Sequence, residues 1–411
     1  MRHFTAYPPL TLYIHFPWCV KKCPYCDFNS HAVKDDIPEQ AYIDALVTDL
    51  EQHAPDIWGR AVESIFIGGG TPSLLSGDGL DKLLGRVRAI TMLEPRAEIT
   101  LEANPGTVEQ SRFKAYREAG INRLSIGAQS FNNKHLEALG RIHDAANAIN
   151  ACETAIHAGF DNFNIDLMHG LPGQSTDDAI ADIAQALKLE PTHLSYYQLT
   201  MEPNTLFAAR PPVLPDEQTL ADIQLAGKAL LADAGFKQYE VSAYARNNKQ
   251  CKHNLNYWLF GDYLGIGAGA HSKISFPAHN TIVRHSKPRH PTEYIKTATS
   301  KERIRGETEV TVQDARLEFM MNALRLNNGF EVQDFENRTG EHISVLKTAL
   351  SKAESDGLLC RDWQTIKTTE LGANYLDTVL QLFMPTDQGS TSGGVIPIVP
   401  ETGKHSGSTS E

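Results

Sequence analysis

The chain has 411 residues, 41% hydrophobic and 21% charged, an ordinary globular composition with room for two domains or one large domain and an appendage. A net charge of -12 argues against broad nonspecific binding to nucleic acid or anionic membrane, since both need a basic surface. No apolar run approaches the ~20 residues that span a bilayer, and the opening MRHFTAYPPL has no apolar signal core.

A cytoplasmic location is therefore expected. Six cysteines, three clustered and three scattered (Cys152, Cys251, Cys360), fit a reducing compartment with a metal site better than a disulfide framework.

From residue 10 to about 245, short β-rich runs alternate with helical periodicity. The strands are read at TLYIHF, SIFIGG, EITLEA, RLSIGA, FNIDLM and HLSYYQL. The helices between them are read at Ala41–His53, Leu80–Ile90, Glu109–Ala119, Ala145–Ala158 and Asp177–Leu189. Alternation of this kind implies βαβ crossovers and a parallel sheet. Six units suit a partial (β/α) barrel, and periodicity alone also fits a doubly wound sheet. A further helix, Asp216–Ala234, precedes QYEVSAY, read as one edge strand. Residues 1–245 form the expected barrel domain.

Residues 246–306 are rich in His, Asn, Gly and Pro and read as irregular loops and a linker. From 307 to 385 helices are expected at TVQDARLEFMMNALRL, EVQDFENRTG and HISVLKTALSKAESDG, then a hairpin at LLCRDWQTIKTT and a last helix at LGANYLDTVLQLF. That is the outline of a winged helix. Residues 307–383 carry 13 acidic and 7 basic side chains, so packing or partner docking suits this part better than DNA. The tail 386–411 is Ser/Gly/Thr/Pro-rich and is expected to be disordered.

Cys19, Cys23 and Cys26 form C-x3-C-x2-C directly after the first strand. Thiolates so spaced can hold three irons of a cuboidal iron–sulfur cluster and leave the fourth iron open to a small molecule. A Cys3His zinc site using His15 or His31 fits the same spacing, as do free thiols. GGGTP, Gly68–Pro72, ends the second strand, where glycines allow close backbone approach to a ligand or simply close a tight turn. Glu102, Gln129, Asp166 and Gln198 stand at or near other strand ends, which gather on one face of a parallel barrel.

The cysteine motif with Tyr25 before its third cysteine, together with GGGTP, resembles the radical S-adenosylmethionine (SAM) superfamily. YIHFPWC, LEANPGT, IGAQSF, LGRIH and NIDLMHGLPGQ resemble the branch containing oxygen-independent coproporphyrinogen III oxidases and heme chaperones. The resemblance covers about residues 8–385. It implies a 4Fe–4S cluster on Cys19, Cys23 and Cys26, with SAM on the open iron. Tyr13, Gly69 and Glu102 would contact that SAM. Tyr25, Gly70, Thr71, Gln129, Arg141 and Asp166 would line an adjacent nucleotide-sized site. For Glu102, Gln129 and Asp166 the plain alternative is hydrogen bonding that closes the barrel.

Two features separate the branches. The oxidase motif continues with a cysteine two positions after its third, where this chain has Phe28. The oxidase also carries a long N-terminal segment, and here about ten residues precede the first strand. HNLNYW matches the HNxxYW motif of the heme chaperones: His253 as axial ligand, Asn254 holding the ring or a propionate, Tyr257 and Trp258 stacking on the porphyrin. Cys251 is either a heme contact or a plain loop thiol, and His271 is a second axial candidate. VRHSKPRH (283–290) either attracts propionates or is a solvated loop. The resemblance thus implies a heme chaperone with client hemoproteins such as respiratory cytochromes or iron-storage hemoproteins, met transiently at the membrane in some cases. It would be a monomer or homodimer that binds no nucleic acid. The alternative is a radical SAM oxidase acting on propionate side chains.

Overall fold

Alternate residues along the first six strands are apolar, and the polar ones between them share the opposite face. The structure, a computed structural model, describes residues 2–34, 36–106 and 112–385. Its large sheet has twelve strands: β1 Leu10–Phe16, β2 Ala61–Gly69, β3 Met92–Ala103, β4 Arg123–Gln129, β5 Phe163–His169, β6 His193–Gln198, β7 Lys237–Glu240, β8 Ala243–Ala245, β9 Asp262–Ile266, β10 His271–Phe276, β11 Thr281–Ser286 and β12 Gly306–Glu309. Their spatial order is β12-β11-β10-β9-β1-β2-β3-β4-β5-β6-β8-β7. Strands β9 and β1 to β6 run parallel. β1 to β6 are neighbours in chain order, without the reversal that defines a doubly wound sheet. Right-handed crossovers then keep the helices on one side, giving the partial barrel.

Leu12, Ile14, Ile65, Ile67, Leu101, Leu124, Ile126, Ile165 and Leu194 face those helices in one core. The helices start where side chains can cap them. Ser76 accepts from the Gly79 N–H and starts Gly77–Ile90 three residues before the expected Leu80. Asp144 and Ser175 form capping boxes for Ala145–His157 and Thr176–Lys188. Phe113–Ala119 is the described part of the third expected helix, and residues 109–111 lie outside the described residues. So does the expected disordered tail from Thr386.

Two expectations change. QYEVSAY is two antiparallel strands, β7 and β8, folded at Val241–Ser242. Residues 246–306, expected to be irregular, contain the Lys252–Trp258 helix and extend the sheet through β9, β10 and β11, which β12 completes. The first half of the charged segment VRHSKPRH, residues 283–286, is strand, and three of the segment's side chains are committed. Lys287 is buried on Asp49, Arg284 pairs with Glu318 at 2.5 Å, and His285 faces Glu307 at 3.2 Å.

The C-terminal part has its own core around Phe319, Phe330, Phe335, Leu350 and Ile366. Helices Val312–Ala323, Val332–Thr339 and Lys347–Ser355 precede the hairpin Leu359–Arg361/Thr365–Thr368, whose second strand also pairs with Phe330–Glu331. The winged-helix outline holds, except that the last helix divides at Tyr375. Among the described residues, no helix is long and apolar enough to cross a membrane.

Candidate functional site

The polar faces of β1 to β6 meet above the C-terminal strand ends in a cavity of about 690 Å3. Of the residues expected at the cluster and SAM, all but Tyr13 line it: Cys19, Cys23, Tyr25, Cys26, Gly69, Gly70, Thr71, Glu102, Gln129, Arg141 and Asp166.

The cysteine loop leaves β1 and is tied down at both ends. Trp18–Cys19 pairs with His31–Ala32, and the Gly70 and Thr71 N–H groups donate to Phe16 O and Trp18 O, each at 2.7 Å. Burial raises the Cys19 and Cys26 thiols, so they need a cationic partner to ionise, as cluster iron would supply. Among the described residues no three His, Cys, Asp or Glu groups converge on one ion. Three thiols on one wall fit the load that the family resemblance implies, one thiolate per iron. The two histidines of the zinc alternative have protein partners. His15 Nε2 meets Asn29 O at 2.8 Å and Nδ1 meets the Tyr13 hydroxyl at 2.9 Å, while His31 Nε2 faces Arg289 O.

Gly69 has φ +116°, and a Cβ there would lie 2.5 Å from the His15 ring. Its N–H donates to Glu102 Oε2 at 3.0 Å. Burial, then the neighbouring Asp166 charge, pushes Glu102 up to about 8. Asp166 is raised by burial as well, and the Asn164 amide donates to it at 2.7 Å. Gln129 holds a left-handed φ of 67°, rare for a residue with a side chain, and its Oε1 accepts from the Tyr197 hydroxyl at 2.9 Å. Arg141 donates to Asn104 Oδ1 at 2.6 Å and Gly127 O at 3.0 Å, and its other amino group faces Cys23 Sγ and the Tyr25 hydroxyl, both at 3.5 Å. It is a bracket behind the cysteine loop. Asn104 also donates to Thr71 Oγ at 2.8 Å, joining the GGGTP turn to Arg141.

Sequence reasoning passed over Asn104, Ser125, Asn164 and Tyr197. The spacing Glu-x-Asn-Pro held a signal for Asn104. Tyr197 carried none, because its partner Gln129 lies 68 residues away.

Tyr13 lies beneath the cavity, stacked on Phe66 with ring centres 6.4 Å apart. His253 packs on the same Phe66 at 5.2 Å, with Nδ1 3.5 Å from Ser64 Oγ, and burial lowers its pKa to about 3. Tyr257 is 40% exposed, while Trp258 is covered by Arg325, 4.3 Å from its ring centre. His253, Asn254, Tyr257 and Trp258 thus share the Lys252–Trp258 helix but line no common opening among the described residues, because His253 faces the sheet and Trp258 faces Arg325. Cys251 is buried at the start of that helix and its thiol is pushed up to about 12 by burial. His271 is exposed at the start of β10.

Comparison with known proteins places this geometry. Residues 13–186 match the radical SAM superfamily model, and residues 310–373 match that of the HemN C-terminal domain. Heme chaperone HemW of Escherichia coli is 50% identical over 92% of this chain and 98% of its own. Heme chaperone HemW of Haemophilus influenzae is likewise 50% identical over 92% and 98%. The solved structure of Escherichia coli coproporphyrinogen III oxidase HemN, described as a radical SAM enzyme, superposes with a TM-score of 0.77 at 25% identity, over 92% of this chain and 90% of that one.

Proposed function

This chain belongs to the HemW family of the radical SAM superfamily, and on that premise we propose that it is a heme chaperone. It binds heme and a SAM-ligated 4Fe–4S cluster and passes the heme to client hemoproteins. The observation that carries the cofactor half is the shared cavity: three cysteines, the GGGTP turn, Glu102 and Asp166 on one wall system. The residues fit that load. Cys19, Cys23 and Cys26 would hold the cluster, and Glu102 and Gly69 would meet the amino-acid or ribose end of SAM. Gln129, Arg141 and Asp166 define the space beyond. A reduced cluster would supply an electron to the sulfonium of SAM.

For the heme half, Phe28 stands where the oxidase motif has its extra cysteine, and HNLNYW supplies an imidazole that burial keeps neutral. Its Nδ1 faces Ser64 at 3.5 Å, so Nε2 would be the nitrogen left for iron. Since His253 lies against Phe66, heme ligation calls for the Lys252–Trp258 helix to shift. Clients include respiratory or iron-storage hemoproteins, and the carrier works as a monomer or homodimer.

The test is anaerobic reconstitution followed by heme titration and a coproporphyrinogen assay. Stoichiometric heme uptake that is lost in His253→Ala, without turnover, is expected. Turnover of coproporphyrinogen would instead establish the oxidase.

A further inference from the structure

The geometry points to Asn29 as a positioning residue that pins the three-cysteine loop to the Gly267–Gly269 turn. It does so through side-chain bonds made on the side of the loop away from the cavity. This inference rests on reading Cys19, Cys23 and Cys26 as cluster ligands.

The loop from Cys19 to Ser30 is short of internal order: its backbone bonds are Cys26 N–H to Cys23 O at 3.2 Å and Ser30 N–H to Phe28 O at 2.7 Å. Lys22 adds a contact to Phe28 O at 3.0 Å. On the cavity side the loop is held by the Phe207 N–H on Pro24 O at 3.0 Å and by Arg141; on the opposite side Asn29 supplies the anchor. Its amide nitrogen donates to Ala268 O at 2.9 Å and to Arg289 O at 2.8 Å, residues 239 and 260 positions away. Its own carbonyl accepts from His15 Nε2–H at 2.8 Å, which leaves Nδ1 to accept from the Tyr13 hydroxyl. Burial lowers His15 to about 4, so the ring stays neutral and this tautomer is fixed.

The turn that receives Asn29 is itself held from behind. Tyr42 accepts from the Ala268 N–H at 2.9 Å and donates to His15 O at 2.7 Å. Tyr294 accepts from the Gly267 N–H at 3.0 Å and donates to the buried Asp49 at 2.8 Å. The turn is shaped for the amide: Gly269 has φ +78°, and a Cβ there would collide with Asn29 Nδ2. Residues 264–272, the glycine-rich LGIGAGAHS that holds this turn, therefore act on the cluster loop's rear.

Two variants break this contact from opposite sides. Asn29→Asp keeps the shape but sets a carboxylate against two carbonyl oxygens, and Gly269→Ala fills the amide's seat. In reconstituted protein each should release cluster iron to a chelator about tenfold faster than wild type, the scale of one or two lost hydrogen bonds. The double variant should be little faster than either alone, because both act through one contact. In the metal-free protein, amides of residues 19–30 should exchange faster while those of β1 to β6 stay protected. Asn29→Gln, which keeps the donor, should recover part of the retention. Unchanged iron release together with unchanged loop exchange in Asn29→Asp and Gly269→Ala would overturn the pin, as would full additivity. Wild-type protein that takes up no cluster would sink the cofactor reading, and exchange in the metal-free protein would still decide whether Asn29 orders the loop.

Discussion

Glu102 and Asp166 put two carboxyl groups into one buried space with few cations to balance them. In the unfolded chain Glu102 titrates near 4.5, and in the fold near 8. Between those values the folded state holds a proton that the unfolded state has released, so folding stability falls as pH rises through this window. From pH 6 to pH 8 the loss is roughly 2 kcal/mol, a few degrees in Tm. Thermal unfolding of metal-free protein at the two pH values, wild type beside Glu102→Gln, checks it; the variant should lose less. The same proton opposes a cationic ligand. SAM carries a sulfonium and an ammonium, so its affinity should rise several-fold between pH 6 and pH 8 with release of a proton. Calorimetry in two buffers of different ionisation enthalpy reads that proton directly. The candidates Glu102 and Asp166 could be read from sequence because each ends or lies in a polar-alternating strand. Their raised pKa could not, since it arises first from burial that only the folded sheet creates, with the Asp166 charge second at Glu102.

At the next scale, the GGGTP turn shows why three glycines stand together. A Cβ on Gly70 would enter the Trp18 backbone, while the N–H groups of Gly70 and Thr71 reach back to Phe16 and Trp18. Gly70→Ala should therefore cost about 1–3 kcal/mol by overpacking and lower the urea midpoint. It should weaken SAM binding further than that loss explains, because the turn carries Gly69 and Thr71 into the cavity. Helices with hydrophobic period and polar caps were readable almost to the residue, as at Ala145–His157. β9 and β10 were not. Their alternation is masked by polar residues that belong inside: Lys273 is fully buried because Asp262 meets it at 3.0 Å, and the Ser275 backbone and hydroxyl bond to the same carboxylate. Hydropathy counts such a group as surface, while the fold neutralises it in pairs. Likewise β7 and β8 turn at Val241–Ser242 without glycine or proline to mark the break.

Across the whole molecule, Arg325 is one of the cations that join the two cores, beside Arg284 on Glu318. Arg325, from the C-terminal part, donates to Glu240 at 3.1 Å and lies over the face of Trp258. The Asn327 N–H donates to Tyr239 O at 3.0 Å beside it. The Glu240 side chain is 5% exposed, so Arg325→Ala would strand a buried carboxylate. Because Ser242 N–H and Oγ still donate to that group, the cost should sit at the low end for a broken buried pair, about 3 kcal/mol. Scanning calorimetry should then resolve a separate, earlier transition for residues 310–385. The same substitution uncovers Trp258, the ring that heme would need. If the HNLNYW helix accepts heme by shifting, removing the guanidinium that covers it should speed heme association several-fold while lowering stability. Slower association with the same loss of stability would mean that Arg325 holds the binding conformation instead of capping it.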